Sequence, residues 1–200
     1  DIRYSVKELC QRMASPTSTD WHRLKKLCRY LRGRPQVVQR RSRVEDDAIV
    51  VYVDSDWAGC KETRRSTSGG ALFAYGMCVK VWSTTQGVAA RNSGEAELYA
   101  ANKGMTEALG LQQMCKDVGV DLKVVTRTDS DACRGTCRRV GLGRLKHLEV
   151  EDLWAQQVVR SGRIALERVD GVVNPADLMT KYLPRNEIDQ QDRKSTRLNS

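Results

Sequence analysis

Two hundred residues, 40% of them apolar, suffice for one domain with its own core plus an appendage, and no run nears the roughly 18 apolar residues of a membrane span. The net charge of +9 is uneven, with +9 in residues 1–44, −2 in 45–191 and +2 in 192–200, which favours a polyanionic partner for the N-terminal segment. Seven scattered cysteines form no secretory framework and read as reduced intracellular thiols, and the chain opens on Asp1 without a signal-peptide pattern, as a fragment of something longer would.

Residues 2–14 predict a short helix, with Ile2, Val6, Leu9 and Met13 at helical spacing and Pro16 as its stop. Ser18 or Thr19 is the expected cap of the next helix. That helix would bury Trp21, Leu24, Leu27, Cys28 and Leu31, and expose Arg23, Lys25, Lys26, Arg29 and Arg32. Gly33 and Pro35 end it, and residues 35–47 read as a linker that carries Arg40, Arg41 and Arg43 before Glu45, Asp46 and Asp47. Residues 48–54 form a β-branched run, hence a buried strand, and 69–75 and 79–83 predict two more strands turned around Gly76. A long helix over 94–118 follows, then a strand at 123–128, a short helix at 130–139 closed by Gly141 and Gly143, a helix at 145–161, and a fifth strand at 163–169. Pro175 stands near the start of a last short helix that ends before Pro184. This order predicts an α/β domain with a mixed sheet.

Residues 192–200 match the in-frame translation of a common sequencing-adapter oligonucleotide, which marks them as an artefact and not part of the fold. Cys133 and Cys137 can share a helix face, but no partners stand at zinc spacing, and His22 and His147 are the chain's two histidines.

Several carboxylates stand where packing alone gives them no reason. Asp54 ends an apolar strand and Asp129 ends the fourth strand, at the strand ends where sites gather in open α/β sheets. Glu95 and Glu97 lie in the first turns of the long helix, and both border the apolar stripe of Leu98, Ala101, Met105 and Leu109, so helical geometry does not choose between them. Asp177 follows Asn174-Pro175 at the start of the last helix, where a carboxylate also suits the helix dipole. Carboxylates from different elements, relieved of mutual repulsion by metal, are what two-metal phosphodiester hydrolysis requires.

Five segments carry a resemblance. Tyr52-Val-Asp-Ser-Asp-Trp-Ala-Gly59, with Arg65-Ser-Thr-Ser-Gly69 and Val81-Trp-Ser83, is similar to the opening of the ribonuclease H domain of copia-type retrotransposon Pol polyproteins. Asn92-Ser-Gly-Glu-Ala-Glu-Leu-Tyr-Ala100 resembles that family's Ser-Ser-Thr-Glu-Ala-Glu-Tyr helix, and Thr128-Asp-Ser-Asp-Ala132 its Cys-Asp-Asn-Gln-Ser strand end. Lys146-His-Leu-Glu149 and Asn174-Pro-Ala-Asp-Leu-Met-Thr-Lys181 resemble its last two signatures. The match runs in order from about residue 48 to 185, and residues 1–34 resemble the segment that joins the reverse transcriptase to this domain.

The resemblance implies a ribonuclease H-like fold, a five-stranded mixed sheet flanked by helices with a short helical N-terminal extension. The implied division is a helical remnant of reverse transcriptase at 1–34, a linker at 35–47, the ribonuclease H domain at 48–185 and a tail at 186–200. The implied function is endonucleolytic hydrolysis of the RNA strand of RNA–DNA hybrids with two Mg2+ ions, Mn2+ being a substitute. The family's catalytic, metal-binding carboxylates fall on Asp54, Glu97, Asp129 and Asp177, with Asp54 bridging both metals, Glu97 and Asp129 completing one site and Asp177 holding the other. Asp56 would at most support them. Asn92, Ser93, Arg134, Arg138, Arg139, Arg144 and Lys146 are candidates for holding the hybrid, whose wide minor groove is read by shape and backbone. His147 reads as a packing or capping residue, and Trp57 and Trp82 as core or wall residues. The implied partners are the hybrid and the reverse transcriptase domain of the same polyprotein, with no membrane, and the implied setting is the cytoplasmic retrotransposon particle. Two departures stand out: Asn92-Ser93-Gly94 replaces Ser-Ser-Thr, and Ser130-Asp131 replaces Asn-Gln, adding a charge beside Asp129. One rival is a catalytically decayed or connection-type module that only grips nucleic acid. Another is an integrase-type strand transferase, whose three-carboxylate site does not suit the Thr-Lys after Asp177.

Overall fold

The β-branched run after residue 47 becomes the middle of the sheet. In the computed structural model, which describes residues 2–36, 47–141, 143, 147, 153–183 and 188, this strand is β1, Ala48–Asp56. It outruns the expected end by two residues, because Ser55 and Asp56 pair with Ser68 and Thr67 although both look like loop residues in sequence. β2 (Thr67–Ala74) and β3 (Met77–Thr85) add antiparallel on one side, turned at Tyr75-Gly76. β4 (Lys123–Thr128) and β5 (Ala165–Arg168) add parallel on the other, giving the order β3-β2-β1-β4-β5. With the helices below, this is the five-stranded mixed sheet flanked by helices that the resemblance implies.

Period-2 alternation divides β1 between two faces. Ile49, Val51 and Val53 join the main core with Leu72, Trp82, Leu98, Met105 and Ile164, under α3 (Ser93–Asp117), α4 (Asp131–Arg138) and α5 (Trp154–Arg160). Leu98 and Met105 are fully buried, each worth about 1.5–3 kcal/mol by transfer from water. α3 lies close on the sheet because Gly104 has no Cβ; one there would stand 2.3 Å from Val53 Cγ1. Val50 and Tyr52 face the other way, with Ala71, Phe73 and Ala176, and this smaller cluster takes its cover from the 3-10 turn Pro175–Met179. Asp54 continues that second face to the sheet's end.

α1 (Arg3–Cys10) is shorter than expected, and α2 (Ser18–Gly33) starts from a different cap. Thr17 accepts from the Asp20 amide, and the Asp20 carboxylate accepts from the Thr17 amide at 2.9 Å, a reciprocal capping box. The apolar side expected to be buried on α2 is open: Asp20 is its one buried residue, while Trp21 is 56% and Leu31 43% exposed. The helix expected at 145–161 is described from Leu153 onward as α5, and the last expected helix is the tighter 3-10 turn, too short for an α-helical ladder. Trp82 is core, but Trp57 is 49% exposed and ties its indole N–H to the Ala90 carbonyl at 3.0 Å. The linker arginines 40, 41 and 43 and residues 189–200 lie outside the described residues. Among the described residues no helix is long and apolar enough to cross a membrane.

Candidate active site

At the C-terminal ends of β1 and β4, three elements bring carboxylates together. Asp54 comes from β1, Asp129 from the residue after β4, and Asp177 from the Pro175–Met179 turn, with one oxygen of each within 4.8 Å of the others. Gly69 makes this possible. It pairs with Asp54 across the sheet, and a Cβ there would lie 2.5 Å from Thr180 Cγ2 and 2.8 Å from Met179 Cβ, so a side chain would push the turn away. On its other flank the turn is fixed by Asn174, fully buried, whose side-chain amide donates to the Val53 carbonyl at 3.1 Å and whose Oδ1 accepts from Ala176 N.

Glu97 approaches from the first turns of α3, outside that tight set of three. Its Oε1 accepts from Ser55 N at 3.2 Å and from Ser55 Oγ at 2.9 Å, while Oε2 is buried without a protein partner. Asp177 Oδ1 is orphaned in the same way. Glu95 turns elsewhere. Its buried carboxylate accepts from the Arg91 amide at 3.1 Å and meets His147 Nε2 at 2.8 Å, so His147 packs against the start of α3 as a structural partner of Glu95. The geometry therefore separates the two glutamates that helical periodicity left tied.

The electrostatics are those of crowded acids in a poorly solvated place. Burial, then repulsion from Asp177 and Glu97, drives the Asp54 carboxyl far above its ordinary range, against a hydrogen bond from Thr180 and the charge of Lys181. Glu97 is pushed to about 7, mainly by burial and further by Asp129 and Asp177. Asp129 is also raised, by burial and by Asp177. Asp56 is raised by burial too, but it faces Lys7 and Lys181 and lies outside the cluster. Unpartnered carboxylate oxygens that repel one another suit a hard divalent cation, which takes oxygen donors and relieves the repulsion.

Three residues of the site escaped the reading by sequence. Thr180 is fully buried; its hydroxyl donates to Asp54 Oδ2 and stands 3.2 Å from the Asp177 carbonyl. Lys181 places its ammonium 2.9 Å from Asp177 Oδ2. Burial works against that charge, yet Asp177, Asp54 and Asp129 together raise its pKa. Both residues stand three and four positions after Asp177, the spacing that brings side chains together on one helical turn, so a signal was present. Ser55 had none beyond its place between two aspartates.

The residues expected to hold nucleic acid are dispersed. Asn92 caps α3, its Oδ1 accepting from Glu95 N at 2.9 Å, and exposed Ser93 begins the helix beside it. Arg134 is held 2.5 Å from Asp131, so the extra charge beside Asp129 is paired within its own helix. Arg138 donates to the Leu166 carbonyl at 2.9 Å, and the Arg139 guanidinium lies against Gly143. Arg144 and Lys146 lie outside the described residues. Cys133 and Cys137 are both buried with sulfurs 4.0 Å apart, and Cys133 donates to the Glu97 carbonyl.

No protein-family model matches the chain. Among curated proteins, a retrovirus-related Pol polyprotein from the tobacco (Nicotiana tabacum) transposon TNT 1-94 is 27% identical over 191 residues, covering 94% of this chain and 14% of that protein. The Pol polyprotein of the Arabidopsis thaliana transposon RE2 is 28% identical over 188 residues, covering 92% and 13%. The chain is similar to the Pol polyproteins of copia-like retrotransposons. It spans about one-seventh of the length of the tobacco Pol relative. A protein described as secreted RxLR effector protein 161 of Plasmopara viticola is 36% identical over 111 residues, covering 56% of this chain and 78% of that protein. Among solved structures, a ribonuclease H1 isolated from compost (LC11) superposes with a TM-score of 0.49 at 21% identity, covering 72% of this chain and 97% of that one. The same enzyme in complex with an RNA/DNA hybrid gives 0.44 at 18% identity, covering 66% and 93%.

Proposed function

We propose that this Pol segment is the element's ribonuclease H, hydrolysing the RNA strand of RNA–DNA hybrids during reverse transcription to leave 5′-phosphate and 3′-hydroxyl ends. The observation that carries the reading is the convergence of Asp54, Asp129 and Asp177 with Glu97 beside them, two of their oxygens buried and unpartnered. Asp54 would be shared between two divalent ions, Glu97 and Asp129 would complete one site, and Asp177 the other. Bound there, the ions supply an activated water and charge stabilisation at the leaving oxygen. The chain's own residues do the rest. Thr180 orients the Asp54 carboxylate, Ser55 fixes one oxygen of Glu97 and leaves the other without a protein partner, and Lys181 balances part of the negative charge. Asn92 and Ser93, exposed at the N-terminus of α3, offer polar contacts to a hybrid backbone beside the cluster. Residues 48–185 form the nuclease domain in this reading, 1–34 come from the polymerase side, and the reverse transcriptase of the same polyprotein delivers the hybrid within the retrotransposon particle.

The test is incubation of the full chain with a strand-labelled hybrid, with Mg2+ and with EDTA, beside Asp54→Asn. Cleavage confined to RNA and lost in both controls is the expected result. Cleavage that persists in Asp54→Asn would sink the site assignment. A folded protein that binds the hybrid in a salt-sensitive way but never cuts it would favour the gripping module instead.

A further inference from the structure

α1 lies at the end of the sheet where the carboxylates gather, although it precedes the linker. Lys7 Nζ donates to Thr67 Oγ1 at 2.8 Å, and the Gln11 side-chain amide donates to Thr85 Oγ1 at 2.7 Å. Thr67 pairs with Asp56 on one side and Thr85 on the other, so α1 bridges the last rung of β2 and β3, next to the end of β1. The Tyr4 ring packs edge-on against Tyr182, centroids 4.8 Å apart at 77°. Tyr182 directly follows Lys181.

The segment from Asn174 to Tyr182 carries Asp177, Thr180 and Lys181, yet has little structure of its own. Its 3-10 turn is five residues long, and turns of that length do not hold their own geometry. Asn174 ties its start to β1, and Gly69 gives it a seat. Past Lys181, among the described residues, the aromatic contact of Tyr182 to Tyr4 ties its far end to α1.

We propose that α1 is a positioning element of the acidic cluster: through Tyr4 against Tyr182, with Lys7 latched to Thr67, it fixes the far end of the 174–182 segment and thereby the placement of Asp177 and Lys181. Residues 3–11 then belong functionally with the nuclease and not with the polymerase, and whatever moves α1 moves one side of the site. The consequence for metal binding rests on the function proposed above; the positioning itself does not.

The experiment compares wild type, Tyr4→Ala, Tyr4→Phe and Tyr182→Ala in the full chain. Amide exchange at 178–182 reads the positioning, and Mn2+ affinity by calorimetry reads its effect on the site. An edge-on aromatic pair is worth enough for Tyr4→Ala and Tyr182→Ala to speed exchange and weaken Mn2+ binding by about two- to tenfold each. Tyr4→Phe keeps the ring and should match wild type in both. If Tyr4→Ala does not fold, Lys7→Met tests the same latch with a smaller change. Unchanged exchange overturns the proposal, as does faster exchange with unchanged Mn2+ affinity, which would make α1 a stabilising appendage only. A wild type that binds no Mn2+ would refute the metal reading, and exchange alone would then decide the role of α1.

Discussion

Replacing Glu97 by Gln should stabilise the metal-free protein while destroying its activity, and the stabilisation should depend on pH. Glu97 is buried and raised from 4.5 to about 7, so its folded state holds the proton more tightly than the unfolded chain does. The stability from this protonation is fully present below pH 4.5 and is lost as pH rises through about 7. The rise from 4.5 to about 7 makes the ionised side chain cost about 3 kcal/mol at pH 8. Gln keeps the carbonyl oxygen that accepts from Ser55, and turns the orphaned Oε2 position into an amide that can donate to the neighbouring acids. Allowing for water entry and relaxation, the gain at pH 8 should be about 1–3 kcal/mol, or a Tm higher by roughly 3–10 °C for a chain of this size. Near pH 5 wild-type Glu97 is itself protonated, and the two melting curves should converge. Thermal melts in EDTA at pH 5 and pH 8 make the measurement, with Glu95→Gln as the contrast, since that change breaks the pairing with His147 and should destabilise. Mg2+ should raise the wild-type Tm at pH 8 more than that of Glu97→Gln. An equal effect of Glu97→Gln at both pH values, or a loss of stability at pH 8, would refute the claim that burial and repulsion together hold this carboxyl's pKa high.

Three further perturbations separate placement, charge and packing. Gly69→Ala puts a methyl where Thr180, Met179 and the Ala176 carbonyl already stand within 2.5–2.9 Å, so it should displace the 3-10 turn and reduce hybrid cleavage at least tenfold, while circular dichroism still reports a folded sheet. Lys181→Met removes the cation paired with Asp177, and should tighten Mn2+ binding several-fold in calorimetry while lowering the metal-free Tm at pH 8; weaker Mn2+ binding would contradict the counter-charge role. Leu98→Ala empties a fully buried position between α3 and the sheet and should cost about 2–5 kcal/mol in urea melts, whereas a cost below about 1 kcal/mol would mean the core closes around the gap.

The fold was legible wherever burial follows a period. β1 announced itself because its residues are buried on both faces, and α3 because its apolar stripe seats on β1 and β2. Legibility failed where a neighbour in space replaced the local signal. Ser55 and Asp56 are polar and fall past the expected end of the strand at residue 54, but pairing with Ser68 and Thr67 keeps them in it. The capping box at Thr17 and Asp20 was readable from its three-residue spacing, although the adjoining serine and threonine offered rival caps. The stripe on α2 is amphipathic in the usual way, yet among the described residues it meets mainly the short α1 and stays largely open, because a hydrophobic pattern specifies a face and not the size of its occupant.

The site divides along the same line. Each of its four acids could be named from motif and strand ends, but their joint charge could not, because it depends on groups brought in from elsewhere in the chain. Thr180 lies 126 residues from Asp54, and its hydroxyl reaches that carboxylate only because the turn is seated over Gly69. Burial and the neighbouring acids favour the neutral form of Asp54, and the Thr180 hydroxyl and the Lys181 ammonium act in the opposite direction. A single signature, Asn174 to Lys181, therefore supplies an acid, a hydrogen-bond donor to a second acid, and a counter-charge to three. That density of roles on a segment whose regular structure is one five-residue 3-10 turn is why its ties at both ends, Asn174 to β1 and Tyr182 against Tyr4 of α1, bear on the site alongside the regular elements that carry the other three acids.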